Sequence, residues 1–263
     1  MVNCIITPTA HILNIASNSP MHLLLAHIAL KDSTYVANYK RLKNDHGHYL
    51  IMDNSAFELG HSMDIIDLLA AADSVNADEI VAPEVFGNLG KTIEAVHNFI
   101  PYVSKDLKIG AVTQGNSMRE FLMCYETYEL MSEIHVIHVP MLDPPDSPYN
   151  QVPNKTLRIM LNRIHFLNLV SELPGKRKPV HLLGLTDGAE LMVQKRHKFI
   201  RSNDSSSAFI HGYFGVKYTA KGLPVDKIPT KMNFVNWDIL SDWQKDCIIH
   251  NIITIKRFSE DDY

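Results

Sequence analysis

Short apolar runs that stop on a polar residue, each followed by a helical pattern, recur along this chain and restrict its fold more than any other feature. Residues 48–53 end on Asp53 in DNSAFELG, 79–84 end on Glu84 in VAPE, 108–114 end on Gln114 in AVTQG, and 199–204 end on Asp204 in SND before three serines. Further strand-like runs occupy 2–7, 134–140 and 180–185. Helical patterns are predicted over 21–30, announced by Ser17 to Pro20, and after Ser62, with Ile65, Ile66, Leu68 and Leu69 facing inward. Others cover 91–103, the stretch opened by the capping pair Ser117 and Glu120, residues 155–171, and a segment starting near Asp187. A closing helix is predicted over 237–255 with Leu240, Trp243, Cys247 and Ile248 inward. Residues 205–230 read as irregular, and the eighth strand has the faintest pattern.

Strands alternating with helices specify a parallel sheet with right-handed crossovers, closed as a barrel or open and doubly wound. Polar turns after several strands would share one C-terminal face in a barrel, whereas an open sheet gathers them at one switch point. The expectation is therefore an α/β chain folded as a (β/α)8 TIM-like barrel, one domain over residues 1–263. The proline-rich loop 143–153 falls on the same face as the polar turns.

Hydrophobic residues at 46% and charged ones at 21% fit a chain that packs a core. No apolar run reaches the eighteen or so residues of a membrane span, and MVNCIITPTAHIL lacks the basic segment of a signal peptide, so a cytoplasmic protein is expected. Cys4, Cys124 and Cys247 offer neither a disulfide framework nor a CxxC zinc site. No GxGxxG or Walker pattern follows a strand, so no cofactor is expected. The formal charge of −4 removes a domain-wide basic excess for nucleic acid. Basic residues do cluster at Lys40, Arg41 and Lys43, at 176–178, and at Lys195, Arg196, Lys198 and Arg201. The last cluster runs into Asp204, where it could hold a phosphate backbone; the alternative is a solvated helix end.

Together the strand ends supply Asp53, Glu84 and Asp204 as carboxylates, Gln114 as an amide, Gly115 and Gly184 for close backbone approach, and Phe57 as an aromatic face. That set suits a planar heterocycle such as a purine. Taken alone, Asp204 reads more readily as the start of a solvent-facing Asx turn, and the recurrence of polar strand ends is what favours a site.

In this order the motifs resemble the tRNA-guanine transglycosylase family, and within it the shorter phage and bacterial relatives that place 7-deazaguanines in DNA. DNSAFE at 53–58 is similar to the family's DSGGFQ, IVAPE at 80–84 to its strand ending in a base-reading carboxylate, TQG at 113–115 to its VQG, LLGL at 182–185 to its GGL, and SND at 202–204 to the motif of its nucleophilic aspartate. The resemblance implies Asp204 as nucleophile and Asp53 as general acid and base. It implies base contacts at Phe57, Glu84, Gln114, Gly115, Gly184, Leu185 and Asn203. Ser55 and Ala56 replace a glycine pair, Glu84 replaces a shorter Asp, and the proline and arginine sequence after the nucleophile is missing. The family's cysteine-rich zinc motif is also missing, since Cys247 is the only cysteine after Asp204, which implies a barrel without the zinc-binding C-terminal subdomain and DNA as partner, with tRNA as the alternative. The expected small-molecule substrate is a 7-deazaguanine base such as preQ0. A metal-dependent barrel hydrolase is the rival, prompted by 14 histidines and the HGH at His46 and His48. That HGH precedes its strand, and His135 and His138 fall on opposite faces.

Overall fold

Strands buried on both faces read as unbroken apolar runs, and this sheet is built that way. The structure is a computed structural model and describes residues 1–228 and 239–260. Its strands are β1 Val2–Ile5, β2 Met21–Leu25, β3 Tyr49–Asp53, β4 Glu79–Val81, β5 Lys108–Val112, β6 Ile134–Val139, β7 Val180–Leu182 and β8 Ile200–Ser205. They form one 8-stranded parallel sheet in the order β1-β8-β7-β6-β5-β4-β3-β2. The two end strands, β1 and β2, come back side by side, so the sheet is a nearly closed barrel and the α/β (β/α)8 class holds. Within β3, Leu50 and Met52 pack outward against helices while Ile51 points inward with Cys4, Leu23, Val81 and Val112. Among the described residues no helix is long and apolar enough to cross a membrane.

The flanking helices are α1 Ala26–Ala29, α2 Ser33–His46, α3 Ala56–Leu59, α4 Ile65–Val75, α5 Leu89–Phe99, α6 Met118–Leu130, α7 Lys155–Glu172, α8 Glu190–Gln194, α9 Ser207–Tyr213 and α10 Asp242–Ser259. Ser117 caps α6 by accepting the Glu120 N–H, as its spacing predicts, but the Glu120 carboxylate turns to the Asn116 N–H instead of closing the box. Residues 21–30 are a correction. They form β2 and the short α1, because Leu23, Leu24 and Leu25 are all buried and show no period-2 alternation to separate strand from helix. The strand with the faintest pattern is thus the second in the chain, and 205–230 contains α9 in place of the expected irregular stretch.

Two inward assignments also change. Ile66 is 81% exposed, on the solvent face of α4, while Leu68 is buried. Trp243 is 59% exposed and lies over Gly215, where a Cβ would collide with its ring, while Leu240, Cys247 and Ile248 are buried. Trp237, the expected start of the closing helix, lies outside the described residues, as do positions 229 and 230 and the last three residues.

The N-terminal end of the barrel is polar inside. Glu79 on β4 accepts from Arg201 Nη1 at 2.8 Å, pairs with His138 Nε2 at 2.8 Å, and accepts the Tyr49 hydroxyl at 3.0 Å. Gly110 makes room for this cluster, since a Cβ there would lie 2.5 Å from His138 Nε2. Burial pushes the Glu79 carboxyl up, but His138 and Arg201 outweigh it and carry it far below the usual range. Removing one member of a buried ion pair strands the other charge. Glu79→Ala should therefore cost about 3–5 kcal/mol in denaturant unfolding. The double variant Glu79→Leu with Arg201→Met should recover most of that loss.

Candidate functional site

The C-terminal ends of the strands surround a cavity of about 410 Å³. That is the size of a small-molecule site. Loops after β3, β4, β5, β6, β7 and β8 all reach it, and of the residues singled out in the sequence Asp53, Phe57, Glu84, Gln114, Gly115, Gly184, Leu185 and Asp204 line it. Residues 151 positions apart in the chain, Asp53 and Asp204, share this one opening and interact through their charges. Met141, Asp143, Pro144 and Pro145 bring the proline-rich loop to the same wall.

Asp204 is held from below and from the side. Its Oδ1 accepts the Gly184 N–H at 3.0 Å and meets His181 Nε2 at 3.2 Å. His181 Nδ1 lies 2.7 Å from Ser202 Oγ, which accepts from Arg201 Nε at 3.1 Å. A carboxylate only accepts, so the proton of the neutral imidazole sits on Nε2, toward Asp204, and Nδ1 accepts from the Ser202 hydroxyl. Burial holds the His181 pKa down to about 4, which keeps the ring neutral. From the side, the wholly buried Arg163 bonds both Glu190 oxygens at 2.8 and 2.7 Å and donates to the carbonyls of Leu183 and Gly184 at 2.8 and 2.7 Å. Gly184, with φ +62°, presents its N–H to Asp204 from this clamped turn.

Asp53 is supported more thinly. Its Oδ2 accepts the Ser55 N–H at 2.8 Å, and Ser55 takes a φ of +58°, a left-handed conformation that favours glycine. Burial, then the charge of Glu58, pushes the Asp53 carboxyl well above the usual carboxylate range, against the pull of that N–H. Glu58 itself, on the rim, is raised by burial and by the charge of Asp204.

Glu84 accepts from the Gln114 amide, and Gln114 Oε1 accepts the Gly87 N–H at 3.1 Å. Ser62, read from the sequence as a helix cap, serves this loop instead. Its Oγ takes the Glu84 N–H at 2.8 Å and donates to the Glu84 carbonyl at 3.0 Å, while Asp64 stands at the start of α4. Gly115 is obligatory, because a Cβ there would lie 2.6 Å from Glu120 Cβ and 2.9 Å from the Phe121 nitrogen.

No family model matches the chain, and a search of curated proteins returns no match. The site therefore stands on its own geometry.

Several expected contacts are placed elsewhere. Asn203 alternates with Asp204 along β8 and so faces away from the cavity, where its Nδ2 donates to Asn3 Oδ1 at 2.6 Å. Arg201 is committed to Glu79 inside the barrel and is not a surface phosphate contact. Lys195, Arg196 and Lys198 precede β8 at its N-terminal end. Six residues of strand put Lys198 about 20 Å from Asp204, on the opposite end of the barrel. Sequence adjacency misled there because a strand carries its two ends to opposite faces. His211 is buried, its Nδ1 beside the Ser207 carbonyl, and takes no part in the lining. Among the described residues no group of three or more His, Cys, Asp or Glu is placed to hold a metal ion.

Other lining residues carried no distinct signal. Glu58 lies one residue past Phe57 in the DNSAFE hexapeptide and Phe86 two residues past Glu84, so reading two residues further at each of these turns would have found them. Lys227 and the clamp residue Arg163 come from regions with no motif at all.

Glu84 gives a test of this electrostatic picture. Burial raises its pKa to about 7, against the hydrogen bonds from Gln114 and Asn54. The folded state then binds the extra proton between the ordinary carboxylate pKa and about 7, so stability falls as pH rises through that window and is lowest above it. Glu84→Gln should leave the melting temperature near that of the wild type at pH 5. At pH 8 it should raise stability by up to the order of 3 kcal/mol. Equal effects at the two pH values would reject a neutral Glu84 below the window.

Proposed function

We propose that this protein exchanges guanine in DNA for a 7-deazaguanine base through a covalent aspartyl-sugar intermediate. The observation that carries the reading is the convergence of Asp53, Phe57, Glu84, Gln114, Gly184 and Asp204, drawn from five separate strand ends, on one cavity. Those are the positions at which the sequence resembles the tRNA-guanine transglycosylases.

Two displacements at one carbon describe the chemistry. The Asp204 carboxylate forms a C–O bond to C1′ while the C1′–N9 bond breaks, its electron pair leaves with the purine, and Asp53 supplies the proton that the purine takes up. In the return step the incoming base gives a proton to Asp53, its N9 bonds to C1′, and the Asp204 carboxylate departs. The carbon is inverted twice, as in a retaining glycosidase. The two aspartates are supported for different tasks. Asp204 has Oδ1 occupied by donors, leaving Oδ2 without a donor among the described residues. Asp53, pushed up by burial and like charge, is suited to carry the proton. Glu84 and Gln114 offer acceptor and donor groups to a purine edge, and the half-exposed ring of Phe57 offers a stacking face.

The reading is tested by incubating the purified protein with labelled guanine and, separately, duplex DNA, single-stranded DNA and tRNA. Label should enter DNA. Asp204→Ala should abolish both incorporation and the denaturant-stable protein–DNA adduct. Asp53→Asn should still bind substrate while exchange falls about 10²–10⁴-fold. A fully active Asp204→Ala protein would reject the assignment, and label entering tRNA alone would move the substrate to RNA.

A further inference from the structure

Among the described residues that line the cavity, one carries a positive charge. It is Lys227, set against Asp53, Glu58, Glu84, Asp143 and Asp204. An ammonium has three N–H donors. Among the described residues it makes a single hydrogen bond, to the Leu185 carbonyl at 2.6 Å, and no carboxylate there is in ion-pair contact with it. Sheltered charges are normally paired, because withdrawing one from water without a partner is costly. The cost registers here: burial, with Arg163 next, pulls the Lys227 pKa down to about 8, while Asp204 and Glu190 act on it from a distance in the other direction.

Its position is fixed by its neighbours. The adjoining Ile228 N–H donates to His211 Nε2 at 3.2 Å, and the His211 ring is pinned in turn on Ser207. The Leu185 carbonyl follows directly on the turn that carries Gly184 and its bond to Asp204. Among the described residues two of its donors are thus unfilled, in the cavity shared with the carboxylate that the base-exchange reading places at C1′.

We propose that Lys227 is the phosphate contact of this cavity, its ammonium taking a non-bridging oxygen of a phosphate attached to the sugar that Asp204 faces. The proposal draws on the base-exchange reading for the identity of that sugar alone. A phosphodiester in a strand and a phosphomonoester on a free nucleotide present the same oxygen chemistry, and the binding experiment separates them.

Equilibrium binding of deoxyguanosine, dGMP and the dinucleoside monophosphate d(GpT) to the full chain provides the test. The wild type should bind one or both phosphate-bearing ligands at least tenfold more tightly than deoxyguanosine, d(GpT) leading if the site serves a strand and dGMP leading if it serves a free nucleotide. Lys227→Met should erase that preference while leaving deoxyguanosine affinity unchanged, which also shows that the variant folds, and Lys227→Arg should retain it. In the wild type, inorganic phosphate should slow acetylation of Lys227. Absence of a phosphate preference in the wild type, or its survival in Lys227→Met, overturns the proposal. If the preference behaves as stated but the wild type exchanges no base, the reaction assigned above fails and the phosphate site stands. Base exchange without a phosphate preference removes the phosphate site and leaves the reaction in place.

Discussion

A guanidinium and a carboxylate meet inside the N-terminal end of the barrel, and the geometry above them follows from that pair. Arg201 and Glu79 belong to β8 and β4, distant in sequence and half a barrel apart in the sheet order. Neither charge can be left alone in an apolar interior, so the two strands are held in one relative position. Arg201 also reaches the site. Its Nε donates to Ser202, whose hydroxyl donates to His181 Nδ1, and the Nε2 proton points at the acceptor-only carboxylate of Asp204. The chain of bonds from floor to mouth has one consistent orientation, and it starts at a residue that cannot lose its proton.

A second buried pair, Arg163 with Glu190, acts on the same Asp204 carboxylate. Its remaining donors grip the carbonyls of Leu183 and Gly184, which turns the Gly184 N–H toward Asp204. Asp204 is therefore oriented by groups that are themselves immobilised by ion pairs, whereas Asp53 rests on the Ser55 N–H and otherwise faces like charge. Preorganised donors around one carboxylate and crowding around the other separate their tasks without any difference in residue type.

Much of this was legible in the sequence because strand ends announce themselves: an apolar run must stop where the chain leaves the core, and Asp53, Glu84, Gln114 and Asp204 all sit at that boundary. β2 was not legible, since Leu23, Leu24 and Leu25 are buried on both faces and a run without alternation has no period to read. Arg163 was hidden for the opposite reason. In an amphipathic pattern a lone arginine reads as solvent-facing, and only the fold shows that it is buried against Glu190. The basic run before β8 failed through geometry, because one strand length separates Lys198 from the carboxylate it adjoins in sequence.

The proposed exchange asks an acid-lined cavity to accept a polyanion, and its formal charge overstates the difficulty. Burial and like charge raise Asp53 well above the usual range and raise Glu58, and burial brings Glu84 to about 7, so these carboxyls hold their protons more tightly than free ones do. A proton held by Glu84 near neutral pH supplies a hydrogen-bond donor to a base edge. Among the described lining residues attraction to the strand backbone on this face falls to Lys227 alone, because the basic run lies at the other end of the barrel. The cost of unstacking a nucleotide, on the order of a few kcal/mol, then falls to contacts with the base itself. Phe57 and Phe86, 51% and 49% exposed on neighbouring loops of the cavity rim, are placed to meet it by stacking. An aromatic face is worth about 1–3 kcal/mol per stacked base, so two such rings and the Glu84–Gln114 edge are of the magnitude required. Recognition on these terms depends little on salt and strongly on the shape of the extruded base, which is the selectivity a base-exchanging enzyme needs.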